Sequence, residues 1–249
     1  MESPPPPRVA AAFAALAAVV ACTHARAQSL PPRDLGVSSN WSGYVATGPS
    51  FSGVTGGWTV PATACLTLRP EHTAASFWVG LGGALPGSHE IEQIGTAAGC
   101  NADGSAAYYA WYELWPKRAV GLSLDIEPGD RMHASVTLDG DTVQLVLADA
   151  TSGRRFERRL PVPRPDASSA EWIGEAPTIA VEQLHALEPL TKFGGVTFSR
   201  ATATARGRTA PIRDSLWQAT AVRLTGKHAD VVPSALDASG TAFSLVVRG

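Results

Sequence analysis

Short runs in which apolar and polar residues alternate fill the chain from Ser38 onward. A period of two marks a half-buried strand, because successive side chains point to opposite faces. The pattern predicts strands over residues 41–46, 76–81, 90–95, 108–115, 132–138, 142–149, 171–175, 195–199 and 243–247. Turn-forming pairs separate them, among them Gly56-Gly57, Gly82-Gly83, Pro86-Gly87, Asp103-Gly104, Pro128-Gly129 and Ser152-Gly153. Between two alternating runs, Leu138-Asp139-Gly140-Asp141 has the composition of a tight hairpin. A weak helical pattern covers residues 179–187. The run 154–164 holds five arginines, yet Glu157 and the flanking prolines predict a solvated edge hairpin rather than a binding patch. Many short strands with close turns argue for an all-β fold, an antiparallel sandwich or barrel. No long linker interrupts the pattern, so residues 38–249 are expected to form one domain.

Composition agrees with a buried core. Apolar residues make up 45% of the 249 positions and charged residues 17%. The formal charge of −2 offers no electrostatic reason to expect a nucleic-acid partner or an anionic membrane surface.

The N-terminus has the layout of an export signal. Arg8 precedes an apolar run, and Ala25-Arg26-Ala27 offers a cleavage site before Gln28. Residues 1–27 are therefore expected to be a signal peptide, and residues 28–37 a short leader. The run is short for a membrane span, and no later stretch approaches one. Lipidation at Cys22 is the alternative at this end. Removing residues 1–27 leaves a charge of about −3 and two cysteines, Cys65 and Cys100. An even pair in an exported chain predicts a disulfide.

Several familiar chemistries find no support. There is no G-x-S-x-G elbow and no H-E-x-x-H helix. His89-Glu90-Ile91-Glu92-Gln93 ends in glutamine and reads as a strand, and the remaining histidines lack ligand spacing, so no metal site is expected. Nothing in the sequence calls for a cofactor. Paired carboxylates are a further option, because glycosidases use two. Glu171 and Glu175 share a strand face about 13 Å apart at roughly 3.3 Å per residue, which is long for one scissile bond. Glu113 with Glu175 across strands stays open.

Two stretches carry a more specific pattern. Trp78-Val79-Gly80-Leu81-Gly82-Gly83 precedes Gln93, and Ala170-Glu171-Trp172-Ile173-Gly174-Glu175 ends on Glu175. Ala110-Trp111-Tyr112-Glu113 lies between them. Asn40-Trp41-Ser42-Gly43 and Trp58-Thr59-Val60-Pro61 stand upstream, and Phe193-Gly194-Gly195-Val196-Thr197-Phe198 downstream. In order and spacing these six blocks resemble the glutamic peptidases, or eqolisins, over roughly residues 39–199.

The resemblance implies a sandwich of two antiparallel sheets, a concanavalin- or lectin-like jelly roll with its active site on the concave face of one sheet. It implies a secreted endopeptidase acting on protein or peptide substrates in acid, and the chain is expected to be a monomer. Glu175 would be the general base and Gln93 the oxyanion donor, with Trp78, Glu113, Trp41 and Trp111 lining or bracing the cleft. Glu171 is the other carboxylate of the same block and the rival for the base. Two family aspartates are missing: Gly82 and Ala97 stand in their places. Neighbouring carboxylates raise one another's pKa, so a milder acid optimum is expected here. The competing expectation is a non-catalytic sandwich that binds peptide or glycan in the same cleft.

Overall fold

The computed structural model describes residues 36–66, 71–181, 184–226 and 230–248, without the side chains of 179–186. The apolar N-terminal run, Cys22 and the cleavage site lie outside the described residues, as do residues 28–35 of the expected leader. The strands in chain order begin with β1 (Val37–Ser38), β2 (Trp41–Thr47), β3 (Phe51–Thr59), β4 (Thr73–Leu81), β5 (Ile91–Cys100) and β6 (Ala106–Trp115). Next come β7 (Val120–Gly121), β8 (Arg131–Asp139), β9 (Thr142–Asp149), β10 (Arg155–Pro161), β11 (Ser169–Glu175) and β12 (Thr178–Val181). The last are β13 (Leu184–Leu187), β14 (Gly195–Ala205), β15 (Arg208–Pro211), β16 (Gln218–Thr225), β17 (Asp230–Pro233) and β18 (Phe243–Arg248).

Every predicted strand is present, most of them extended at an end. The Gly140-Asp141 turn closes β8 onto β9 with Asp139 opposite Thr142, and Gly140 sits at φ 57°, where a side chain would be strained. Two expectations are corrected. The helical pattern over 179–187 is instead the β12–β13 hairpin, with Thr178 opposite Leu187 and Ile179 opposite Ala186. The β-branched Thr178, Ile179 and Val181 favour extended backbone, and the Glu188 N–H to Pro177 carbonyl bond of 2.8 Å closes its base. Gly56-Gly57, expected to break a strand, lies inside β3. A Cβ on Gly56 would stand 3.0 Å from both Trp172 Cδ1 and Val79 Cγ1, so the bare backbone lets the opposite sheet approach. Trp172 then donates its indole N–H to the Thr55 carbonyl at 2.6 Å, tying the sheets together.

One hydrogen-bonded path folds back on itself as two sheets. The first runs β10-β9-β8-β3-β14-β18-β17 and the second β16-β2-β11-β4-β5-β6-β7, joined where β17 pairs β16. Their inner faces meet in one core: Phe77, Val79, Leu81, Ile94 and Trp172 from the second sheet, and Val54, Val136, Leu145, Leu147 and Phe198 from the first. The arginine-rich strand β10 is the exposed edge of the first sheet, where charged side chains guard unpaired backbone groups. Cys65 and Cys100 form a disulfide that fastens the loop after β3 to the end of β5. No helix of the described residues is long and apolar enough to cross a membrane.

Candidate active site

The second sheet is buried on both faces at its centre, and all seven residues of β11 are buried. Even-numbered β11 side chains, Ala170 and Trp172, enter the main core. The odd-numbered ones, Glu171, Ile173 and Glu175, look to the other side. Registered neighbours on adjacent strands project to the same face, so pairing alone lays out that side in rows. The first row is Val45, Glu171, Gly80, Gln93, Glu113 across β2, β11, β4, β5 and β6. The second is Gly43, Ile173, Trp78, Gly95, Trp111, and the third is Trp41, Glu175, Ser76, Ala97, Tyr109. Gln93, Glu175, Trp78, Glu113, Trp41 and Trp111 thus share one face of one sheet.

Trp78 is the hub. Gly80 and Gly95 leave it room: a Cβ on Gly80 would sit 3.0 Å from the indole Cζ3, and one on Gly95 would sit 2.6 Å from Trp78 Cβ. Trp41 packs edge-on against it, with ring centroids 5.1 Å apart and planes at 78°. The Trp78 indole N–H donates to Glu175 Oε2 at 2.8 Å. Asn40 Nδ2 donates to the other oxygen, Oε1, at 3.0 Å. Both carboxylate oxygens are therefore held. Burial pushes the Glu175 carboxyl up to about 7, while the donors Trp78, Trp41 and Asn40 pull the other way.

Gln93 lies directly opposite Glu113, and its Nε2 donates to Glu113 Oε2 at 2.7 Å. Its carbonyl Oε1 is buried with no partner among the described residues, as is the indole N–H of Trp111. Burial, and after it the charge of Glu175, pushes the Glu113 carboxyl up to about 8, against the bond from Gln93. The Gln93–Glu113 pair and Glu175 thus look to the same side of the sheet, and the Glu113 carboxyl feels the charge of Glu175. Such a site offers an acceptor oxygen, an amide with a free N–H and a protonatable carboxyl. Glu171 differs from Glu175. It is 0% exposed, neither oxygen has a well-formed hydrogen bond among the described residues, and burial raises its carboxyl well above the ordinary value, with the nearby Ser169 hydroxyl pulling the other way.

Asn40 and Ser38 belong to this site, although their side chains drew no assignment from the sequence. The signal available was the position of Asn40 at the head of the Asn40-Trp41-Ser42-Gly43 block. Gly82 sits at φ 82°, and a Cβ there would come within 2.6 Å of the Asp166 carbonyl oxygen. The backbone itself therefore excludes an aspartate at 82. Ala97, 1% exposed, occupies the Glu175 row two strands from that carboxylate. Among the described residues no group of three or more His, Cys, Asp or Glu is placed to hold a metal ion.

Residues 39–242 match the sequence model of the peptidase A4 family. Aspergillopepsin-2 from Aspergillus niger is 30% identical over 194 residues, which are 69% of this chain and 66% of that relative. A crystal structure of scytalido-glutamic peptidase with a transition state analog inhibitor superposes with a TM-score of 0.72 at 25% identity, over 85% of this chain and 99% of the other. Aspergilloglutamic peptidase from Aspergillus niger superposes with a TM-score of 0.58 at 26% identity, over 71% and 99%. With a family match across most of its folded length, the chain belongs to the peptidase A4 family, the glutamic peptidases, a family of peptide hydrolases.

Proposed function

We propose that this protein is an exported endopeptidase that hydrolyses peptide bonds in mild acid through Gln93 and Glu175. The observation that carries it is the pairing of two differently held groups on one sheet face. Glu175 has a donor on each oxygen, and Gln93 is anchored by one amide N–H with its second N–H and its carbonyl free. Export rests on the apolar N-terminal run and its cleavage site.

In the reaction, the ionised Glu175 takes a proton from water as the water oxygen bonds to the substrate carbonyl carbon. The carbonyl oxygen becomes an oxyanion and accepts the free Gln93 N–H. The Gln93 carbonyl orients the attacking water. Collapse of the tetrahedral intermediate breaks the C–N bond, and the Glu175 carboxyl returns its proton to the leaving nitrogen. Glu113 holds the Gln93 amide in place and is kept protonated below about 8. An amide suits the oxyanion role because it presents donor and acceptor at one point and does not itself titrate.

Two opposing effects set the pH range. Below about 7 the ionised fraction of Glu175 falls about tenfold per pH unit. At higher pH the buried carboxyls lose the protons on which the fold depends. Together these effects place the optimum well above strong acid, and a profile peaking below about pH 3 would overturn this.

The test is hydrolysis of denatured casein or haemoglobin across about pH 2–7 by mature protein and by Glu175→Gln. Cleavage that vanishes in the variant supports the assignment. A folded wild type that cleaves nothing at any pH would sink it and favour the non-catalytic binding module. Cleavage lost in Glu171→Gln but kept in Glu175→Gln would reassign the base to Glu171.

A further inference from the structure

We infer that Ser38 and Asn40 are a positioning pair that fixes the carboxyl plane of Glu175 and keeps that carboxyl a proton acceptor. The inference rests on the base role proposed above and extends it to two residues at the entry of the folded chain. Ser38 is placed by β1, which pairs in parallel with β16 through Val37–Arg223 and Ser38–Leu224. Its hydroxyl oxygen accepts the backbone N–H of Trp41 at 3.0 Å and of Asn40 at 3.3 Å. With both lone pairs engaged, the one hydroxyl hydrogen points to Asn40 Oδ1, 3.2 Å away.

That bond decides which way the Asn40 amide faces. With Oδ1 turned to Ser38, Nδ2 is turned to Glu175 Oε1 at 3.0 Å. A flipped amide would place oxygen against oxygen and repel the ionised carboxylate. The chain of donors therefore runs one way, from Ser38 to Asn40 to Glu175. Asn40 also grips the same spot through its backbone, because its carbonyl accepts the Ala176 N–H at 2.9 Å. Ser38, Asn40 and Glu175 are all buried, so water is a poor substitute for these bonds.

The other groups facing Glu175 do not duplicate this function. Trp41 and Trp78 are neutral donors from β2 and β4, and Trp78 holds the opposite oxygen. Ser76 and Ala97 follow Glu175 in its row, and Gln93 lies on the same face. Among the described residues Glu113 is the ionisable group that feels the charge of Glu175, and its ionisation opposes that of Glu175. Asn40 favours the ionised carboxylate that burial disfavours, and Ser38 directs Asn40 to that task.

The experiment compares kcat/KM against pH for wild type, Asn40→Ala, Asn40→Asp and Ser38→Ala. The Glu175 carboxyl is titrated in parallel by ¹³C NMR, which needs no turnover. Losing one hydrogen bond to a charged group should move the acid limb of Asn40→Ala up by about one pH unit. Activity at pH 5 should then fall about tenfold, in kcat rather than KM. Asn40→Asp fills the same space and should move the limb further, because a second carboxylate opposes ionisation of the first. Ser38→Ala should move it in the same direction by less. A normally active wild type beside variants whose limbs and carboxyl titrations coincide with it, whatever their melting temperatures, would overturn this inference alone. A wild type that cleaves nothing would overturn the peptidase assignment, and this inference with it.

Discussion

The indole N–H of Trp78 points at Glu175 Oε2 from 2.8 Å, joining a tryptophan on β4 to a carboxylate 97 residues later on β11. It also shows how a carboxylate can be buried here without being abandoned. The ring lies in a space left by Gly80 and Gly95 and aims its one polar atom at the group that burial penalises.

Trp78→Phe should keep the packing against Trp41 and lose the donor. The expected result is an acid limb of kcat/KM shifted to higher pH by about one unit, with a melting temperature near that of wild type. A pH–rate profile with a thermal melt checks both. An unmoved limb would mean that the indole N–H does not tune Glu175.

Gln93→Ala should cost about 10²–10³ in kcat with the fold intact, because it removes an oxyanion donor. The Glu113 carboxyl would also lose its partner at 2.7 Å. Steady-state kinetics with a peptide substrate, alongside circular dichroism, reads the effect. Loss confined to KM would argue that Gln93 binds substrate rather than stabilising the transition state.

Stability should fall as pH rises. Burial, aided by Glu90 and Asp166, pushes Glu92 up to about 8, and Glu113 and Glu175 stand at about 8 and about 7 against an ordinary value of 4.5. Glu171 shifts in the same direction. The folded state therefore holds protons that the unfolded chain releases from about pH 4.5 upward. Its advantage is complete below that point and drains away as pH passes through about 7 and 8. Denaturant melts at pH 4.5 and pH 8 should show the lower midpoint at pH 8, and Glu171→Gln should narrow the gap. Equal midpoints would contradict the burial of these groups.

Restoring the two family aspartates should give opposite kinds of result. Gly82→Asp should destabilise strongly, since residue 82 sits at φ 82° with backbone oxygens of Asp166 and Glu90 within 2.6 and 2.8 Å of any Cβ. Ala97→Asp should instead act on the pH profile, because it adds a carboxylate to the row of Glu175. Thermal melts and pH–rate curves of the two variants separate these outcomes.

Reducing Cys65–Cys100 releases a loop of 35 residues, and the chain-entropy estimate for that length is about 3–4 kcal/mol. A melt with and without reductant should show a loss of that order. A shift below about 1 kcal/mol would mean that the loop stays ordered without its tie.

Alternation along the chain was enough to locate most strands, because a strand packed on one face writes a period of two into its own residues. β3 was harder to see. Its glycines look like breakers until Trp172 of the other sheet is found filling the space above Gly56. The β12–β13 hairpin failed for a related reason: a short apolar run carries no period that separates helix from strand. The family blocks made the face with Gln93, Glu113 and Glu175 legible as candidates. What no stretch of sequence contains is register. Glu171 and Glu175 are equivalent by alternation, yet only Glu175 meets a well-placed donor on each oxygen, Asn40 and Trp78, among the described residues. Strand pairing decided that, because hydrogen bonds between segments up to 135 residues apart depend on which residues end up side by side. Composition and local pattern determined that this chain forms a sandwich with a polar face. The tertiary structure decided which carboxylate on that face is held by a donor on each oxygen.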